Sequence, residues 1–348
     1  MNSLLSSSKS LQAVAAEAVK RSHARTPPTS SHLPLRVGTR ASPLALVQTR
    51  NFLTRLTRFC PVLRDMGAFQ EFQINTSGDR SALRLADIGG KGLFSKEIHE
   101  RLLEGGIDFA VHSLKDLETN LPEGLVLGCT LKREDARDVL LLKDRKITFN
   151  PDDPLSCLPK GAKIGCASVR RQAQLLHLRP DLKFCLIRGN VQTRLDKMNA
   201  GQCDATLLAL AGLRRLGMED RADVILEPSV MVPASGQGIV GVTIRESNVE
   251  LRELLSAIED PEARAVATAE RALLAELDGS CRTPIGGYAQ LKNNELHMIG
   301  LIASEDGSFL LRRETKGALH EAAELGRELA IELRRDTPSH VFDAMTRD

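Results

Sequence analysis

The chain has 348 residues, 42% of them hydrophobic and only 3% aromatic, with no tryptophan, one tyrosine and a formal net charge of +2. That length exceeds one ordinary core and predicts two or three domains, while the near-balance of Lys and Arg against Asp and Glu excludes bulk nucleic-acid binding. No apolar run approaches the length of a membrane span. The cysteines (Cys60, Cys129, Cys157, Cys166, Cys185, Cys203 and Cys281) are scattered, with no C-x-x-C pair and no histidine spacing of a zinc site. That usage predicts reduced thiols, a cytoplasmic setting and no metal.

Residues 1–33 are rich in Ser and Ala, carry Lys and Arg with a single acid, Glu17, and end in Thr26-Pro27-Pro28-Thr29-Ser30-Ser31. The composition suits a disordered N-terminal extension, and an organellar transit peptide has a similar make-up. Leu35 to Arg40 then alternates as a short strand, and Ser42-Pro43 reads as N-cap and first residue of a helix to about Arg58. Phe69 to Asn75 is a second strand. Gly89-Gly90-Lys91-Gly92 is expected to open a helix with Phe94, Ile98 and Leu102 on its buried face. Asp108 to Ser113 is a third strand, leading into Leu114-Lys115-Asp116. A second series begins after Arg133-Glu134-Asp135-Ala136-Arg137. Strands at Val139 to Leu142, Ala162 to Cys166, Phe184 to Ile187 and Asp204 to Leu210 alternate with helices that carry Arg170 and Arg171, Arg194, and Arg215. The alternation predicts two doubly wound α/β units.

Basic and hydroxyl residues recur just after a strand and at a helix start: Arg40 with Ser42, Ser113 with Lys115, Ser168 with Arg170 and Arg171, and Arg188. One such arginine would be an ordinary solvated charge. Repetition in both units points to a deep anion-binding cleft, because ligands bind at that edge of open α/β sheets and helix N-termini favour anions. Several carboxylates would suit it, since arginine grips them bidentately. Two motif matches fail in context. Gly236-Gln237-Gly238-Ile239-Val240-Gly241 satisfies G-x-G-x-x-G but runs into strand-like Val242-Thr243-Ile244, where the dinucleotide fingerprint needs a helix. Gly89-Gly90-Lys91-Gly92 lacks the earlier glycine and the Ser/Thr of a phosphate-binding loop.

From about Pro261 a long helix to Leu277 delivers Asp278-Gly279-Ser280-Cys281-Arg282-Thr283-Pro284. Cys281 sits in a turn of small residues with Arg282 beside it, which favours thiolate; taken alone, it would be read as one more small buried hydrophobe. Three strands follow, over Tyr288 to Leu291, Leu296 to Ala303 and Phe309 to Thr315. Turns at Asn293-Asn294 and Asp306-Gly307 make them antiparallel, and Leu319 to Arg335 is a closing helix.

Several stretches together resemble the porphobilinogen deaminase (hydroxymethylbilane synthase) family from about Leu35 almost to the C-terminus. They are Arg40-Ala41-Ser42-Pro43-Leu44-Ala45, Gly89 to Phe94, Ala110 to Asp116, Arg188 to Leu195, Gly236-Gln237-Gly238, and Gly279-Ser280-Cys281 through Gly286. The resemblance implies two doubly wound, periplasmic-binding-protein-like α/β domains, 34–132 with 236–255 and 133–235. It adds a small α+β domain, 256–348, with a three-stranded antiparallel sheet, following the extension at 1–33. It implies a transferase of porphyrin and heme biosynthesis. Cys281 would carry a dipyrromethane cofactor through a thioether, four porphobilinogen molecules would be added with loss of ammonia, and hydrolysis would free hydroxymethylbilane.

Asp116 is implied as the catalytic residue. Loss of ammonia leaves a cationic azafulvene that a carboxylate can stabilise, and the same group can manage the protons of coupling. From spacing alone, Asp116 would be a surface aspartate paired with Lys115. Cofactor contacts are implied for Ser113, Lys115, Asp116, Ser168, Arg170, Arg171, Arg188 and Gln237, and substrate contacts for Arg40, Ser42, Gln48, Lys91, Phe94, Arg194 and Arg215. His112, on an apolar strand, is expected to be packed, and the other six cysteines structural. The implied partners are porphobilinogen and the growing chain, with no nucleic acid or membrane, and the implied state is a monomer. Two positions depart from the family pattern: Cys166-Ala167 stand where hydroxyl residues are commoner, and Glu118 where proline is. A binding module of the periplasmic type would share the fold without catalysis, but Cys281 and Asp116 are surplus to binding.

Overall fold

The computed structural model describes residues 33–346 apart from 66, 81–91, 147, 149, 151 and 281. The chain runs through β1 (Leu35–Arg40), β2 (Phe69–Ile74), β3 (Phe109–Ser113) and β4 (Leu125–Thr130) before crossing over. A second set follows: β5 (Asp138–Leu142), β6 (Lys163–Gly165), β7 (Lys183–Cys185), β8 (Ala205–Ala209) and β9 (Val224–Leu226). The chain then crosses back into β10 (Val240–Arg245). The sheets have orders β2-β1-β3-β10-β4 and β7-β6-β8-β5-β9. They are the same arrangement twice. Three parallel strands are followed by one antiparallel strand that has come from the other sheet, then by an outer strand. The mixed direction is a refinement of the mostly parallel sheet expected from the alternation of strands and helices.

Sequence chemistry accounts for the elements around the cleft. Helix α1 (Pro43–Phe59) starts where Ser42 accepts from the Ala45 amide, with Pro43 in the first turn, where its missing N–H costs nothing. Phe52 and Leu56, four apart, are fully buried against the first sheet. Helix α2 (Lys96–Leu103) begins later than the glycine run suggested. Gly92 has φ +77, and Phe94 lies in the turn before the helix, so the buried face comprises Ile98 and Leu102 without it. In the second unit, α3 (Val169–Leu178), α4 (Val191–Asn199) and α5 (Leu210–Arg215) each follow a strand.

Helix α6 (Val249–Ser256) still packs on the first sheet through Leu251 and Leu255. The C-terminal part then pairs α7 (Pro261–Glu276) with β11 (Ile285–Lys292), β12 (Glu295–Ala303) and β13 (Leu310–Ala318), followed by α8 (Ala322–Asp336) and α9 (Ser339–Thr346). The three strands are antiparallel. Asn293 and Asn294 have φ of 50 and 63, the left-handed pair that a tight hairpin turn demands and that asparagine tolerates. Gly326 of α8 lies so close to α7 that an added Cβ would come 2.2 Å from the Ala269 carbonyl oxygen. Leu114, Leu117 and Ile239, from the edge of the first sheet, share one apolar cluster with Leu273, Leu277 and Leu329.

The crossings at 131–137 and 227–239 lie side by side, with the Leu131 amide donating to Val240 O at 2.9 Å and the Glu134 amide to Gly238 O at 3.0 Å. Both are held by the fully buried Glu270 of α7. Its carboxylate accepts from Arg133 Nη1 at 2.6 Å, from the Gly236 amide at 2.6 Å and from the Ala289 amide of β11 at 2.7 Å. Burial pushes the Glu270 carboxyl up, and Arg133 opposes it. Removing one partner of such a pair strands the other in low dielectric. Glu270→Ala is therefore expected to lower the unfolding free energy by about 3–5 kcal/mol, against less than about 1 kcal/mol for Arg313→Ala at the exposed Arg313–Asp336 pair. Urea unfolding of both variants checks the contrast.

Candidate active site

Because β1 and β3 are parallel neighbours, their carboxyl ends deliver Arg40 and Ser113 to the same edge of the first sheet. Arg40, Ser42, Gln48, Phe94, Ser113, Lys115 and Asp116 line one cavity there, with His112 in its wall. Arg40 Nη1 donates to Asp116 Oδ2 at 3.3 Å, and its guanidinium lies 4.3 Å from the centre of the Phe94 ring. The buried Gln48 amide and the Ser113 hydroxyl face each other at 3.0 Å. Asp116 is thus paired with Arg40 from another strand, not with its neighbour Lys115 as the bare spacing suggested.

Lys115 turns toward the second crossing, where its Nζ donates to Gln237 Oε1 at 3.1 Å. Burial and the nearby Arg171 and Arg170 push its ammonium down to about 8, against the opposing pull of Asp116 and Asp138. Gln237 can reach between the two because Gly236 and Gly238 take φ of 75 and 87. A Cβ at Gly238 would sit 2.3 Å from the Glu134 carbonyl oxygen. The glycines that mimic a dinucleotide fingerprint therefore serve this turn.

On the second sheet the ends of β6 and β7 supply Ser168, Arg170, Arg171 and Arg188. Arg170 and Arg171, at 5% and 6% exposure, are held by the fully buried Asp138, through Nη2 of each at 2.8 and 2.7 Å. Arg171 Nη1 also donates to Leu207 O at 2.9 Å, and Arg170 to Val232 O. Ser168 precedes α3 without capping it by side chain; its amide donates to Cys166 Sγ at 3.4 Å. Arg188 Nη2 spans to the first unit, donating to Gly78 O at 3.1 Å. Arg194 Nε donates to Gly189 O at 2.9 Å; burial, with Arg171 next in effect, pushes its guanidinium down to about 10. Arg215 Nη2 donates to Gly238 O at 2.6 Å, beside Gln237.

Lys91 and Cys281 lie outside the described residues. The turn around position 281 is tied by its neighbours: the Ser280 amide donates to Thr283 Oγ1 at 2.9 Å, and the Arg282 amide to Ser280 Oγ at 3.1 Å. His112 is packed, as its apolar strand suggested, with Nε2 2.9 Å from Thr243 Oγ1; burial pushes it down to about 3, so it stays neutral at physiological pH. Among the described cysteines, Cys129, Cys157, Cys166 and Cys203 are buried. Sequence reading missed Asp138 and Glu270. Asp138 had a visible signal, a lone acid opening the apolar run Val139-Leu140-Leu141-Leu142.

Comparison with known proteins gives these residues their context. A family model described as "Porphobilinogen deaminase, dipyromethane cofactor binding domain" matches residues 35–253. Its companion, "Porphobilinogen deaminase, C-terminal domain", matches 265–335. Relatives named porphobilinogen deaminase include one from Nitrobacter winogradskyi, 48% identical over 88% of this chain and 94% of the relative. Another, from Paracoccus denitrificans, is 46% identical over 89% and 96%. One from Synechococcus elongatus is 44% identical over 89% and 95%. Among solved structures, an ancestral arginine-binding protein overlaps at a TM-score of 0.36 and 16% identity, covering 64% of this chain and 90% of its own; so loose an overlap carries no argument about ligand. On the two family models and on relatives aligned over nearly their whole length, the chain belongs to the porphobilinogen deaminase family.

Proposed function

We propose that this chain joins four porphobilinogen molecules in turn to a cysteine-linked primer, one ammonia leaving at each addition, and that water then cleaves the new tetrapyrrole from the primer as hydroxymethylbilane, with Asp116 as the catalytic residue. The observation that carries the proposal is the convergence of Arg40, Lys115 and Asp116 on one cavity with Ser42, Gln48 and Ser113. The family's dipyrromethane cofactor fits the same residues. Lys115, its ammonium weakened by burial and then by nearby arginines, gains from an anionic partner, and the cofactor's acetate and propionate groups supply one. We assign its hold to Cys281 through a thioether, and to Ser113, Lys115, Ser168, Arg170, Arg171, Arg188 and Gln237. When bound, it supplies the pyrrole end to which each new unit is joined.

The protein's own part is binding and charge placement. Arg40, Ser42, Gln48, Lys91, Phe94, Arg194 and Arg215 take the carboxylates and ring of the incoming substrate. Arg40 orients the Asp116 carboxylate, which then faces the positive charge left on the substrate as its amine departs and accepts the proton released after coupling. His112, neutral and bonded to Thr243, is left out of the proton traffic. The substrate is porphobilinogen and the chain growing from it. Among the described residues no helix is long and apolar enough to cross a membrane.

Three measurements test the reading. Intact-protein mass spectrometry should find the wild type heavier than its sequence by a two-pyrrole adduct that is missing from Cys281→Ala. Unmodified wild type from cells that make porphobilinogen would leave an anion-binding module instead. Asp116→Asn should keep the fold and lower turnover about a hundredfold or more, and near-normal turnover would remove Asp116 from the chemistry. In the chain without its cofactor the Lys115 ammonium is pushed down to about 8 and loses its charge as pH rises through that value, so cofactor uptake by the apo protein should weaken above about pH 8. Lys115→Arg should extend that uptake to higher pH.

A further inference from the structure

We propose that Asp138 is a positioning residue for the anion-binding set: one buried carboxylate spaces the two cleft arginines of the second unit and, through Gln237, sets the position and charge of Lys115 in the first. The inference rests on the function proposed above and extends it to a residue that touches neither substrate nor cofactor.

Asp138 stands at the start of β5, where the chain enters the second sheet, and has no exposed surface. Four donors reach it. Oδ1 accepts from Arg171 Nε at 3.2 Å, Arg171 Nη2 at 2.7 Å and Gln237 Nε2 at 2.8 Å, while Oδ2 accepts from Arg170 Nη2 at 2.8 Å. Three of the four donors crowd onto Oδ1, so the Asp138 carboxylate is committed mainly to Arg171 and Gln237 through one oxygen and to Arg170 through the other. The two arginines are adjacent on α3, and with the anion removed their charges would repel in a buried site. Gln237 carries the link onward, since its Oε1 accepts from Lys115 Nζ at 3.1 Å while its Nε2 is committed to Asp138 and to Ala136 O. The amide is thereby oriented with its oxygen toward the lysine. Among the described residues, the charged groups that act on Lys115 include Asp116 on its own turn, Asp138 on β5, and Arg170 and Arg171 on α3. Asp138 favours the lysine's charge and the arginines oppose it. A role confined to packing would place a carboxylate here without making the titration of a lysine in the other unit depend on it.

The test uses Asp138→Asn in the full chain, loaded with its cofactor. The substitution keeps the shape but sets an amide N–H₂ against an arginine or the Gln237 amide. Two readouts separate positioning from stability. The KM for porphobilinogen should rise about tenfold or more with kcat reduced less than about threefold. Competitive acetylation of Lys115, followed by peptide mass spectrometry across pH in protein without added substrate, should give a midpoint about one unit below that of the wild type. A midpoint that does not move overturns the proposal, as does a loss confined to kcat with KM unchanged. If Asp138→Asn is recovered only as insoluble protein, Gln237→Met decides. It cuts the link to Lys115 and leaves the arginine pair on Asp138, so the midpoint should again fall; an unmoved midpoint overturns the proposal. Failure of the wild type to consume porphobilinogen would sink the function proposed above, while the labelling arm would still decide the role of Asp138.

Discussion

The buried carboxylate of Glu270 is where the three parts of the chain are joined, and the cleft depends on it. One crossing between the sheets reaches it through Arg133 and the other through the Gly236 amide, while the C-terminal sheet reaches it through the Ala289 amide. Arg133 is doubly engaged, because its Nε also donates to Gln237 O at 2.8 Å. The backbone of the second crossing is thus fixed from both sides at the residue whose side chain links Lys115 to Asp138. A two-sheet protein with two crossings has, in principle, a hinge at that place. Here the third domain is bolted to the crossings themselves, so any change of angle between the sheets must act on the unit that carries Cys281.

The same arrangement handles a problem of charge. A cleft for polyanions needs cations that are partly desolvated, and desolvated cations of like sign destabilise the fold that holds them. Two buried acids absorb that cost inside the protein, Glu270 against Arg133 and Asp138 against Arg170 and Arg171. The compensation is incomplete at Lys115, which lines the cavity, and at Arg194 of the second unit; both are held below their ordinary values by burial and by neighbouring arginines. Under the function proposed above, that residual imbalance is what an incoming carboxylate would relieve, and affinity would come from an electrostatic deficit built into the fold as much as from any single contact.

Local chemistry was legible where it acts over a few residues. Ser42-Pro43 marked a helix start, Asn293-Asn294 marked a hairpin, and the basic and hydroxyl residues after β1 and β3 do line one cavity. Long-range pairing was not legible. Nothing near Asp116 in sequence names Arg40 as its partner, since the contact depends on β1 and β3 lying side by side 76 residues apart. The direction of β10 and β5 was hidden for the same reason: an antiparallel strand arriving from another sheet has the same apolar run as a parallel one. Gly89 to Gly92 misled the helix assignment because glycine signals a turn and a helix entry equally well, and the helix waits until Lys96.

The departures from the family pattern become intelligible as substitutions of one kind of rigidity for another. Proline after the Lys115-Asp116 pair would stiffen the turn by fixing φ. Glu118 stiffens nearby backbone with contacts instead: its Oε2 accepts from Ser95 Oγ at 2.9 Å and lies 3.5 Å from His99 Nδ1. Its backbone oxygen accepts from Arg271 Nη2 of α7 at 2.7 Å. Cys166 behaves similarly, its sulfur accepting from the Ser168 amide where a hydroxyl oxygen would otherwise serve. Sulfur is the weaker acceptor, and the arginine pair that follows at the start of α3 is held by Asp138. In this chain the geometry of the cleft is carried by buried acids and their arginines, with the turn residues in support.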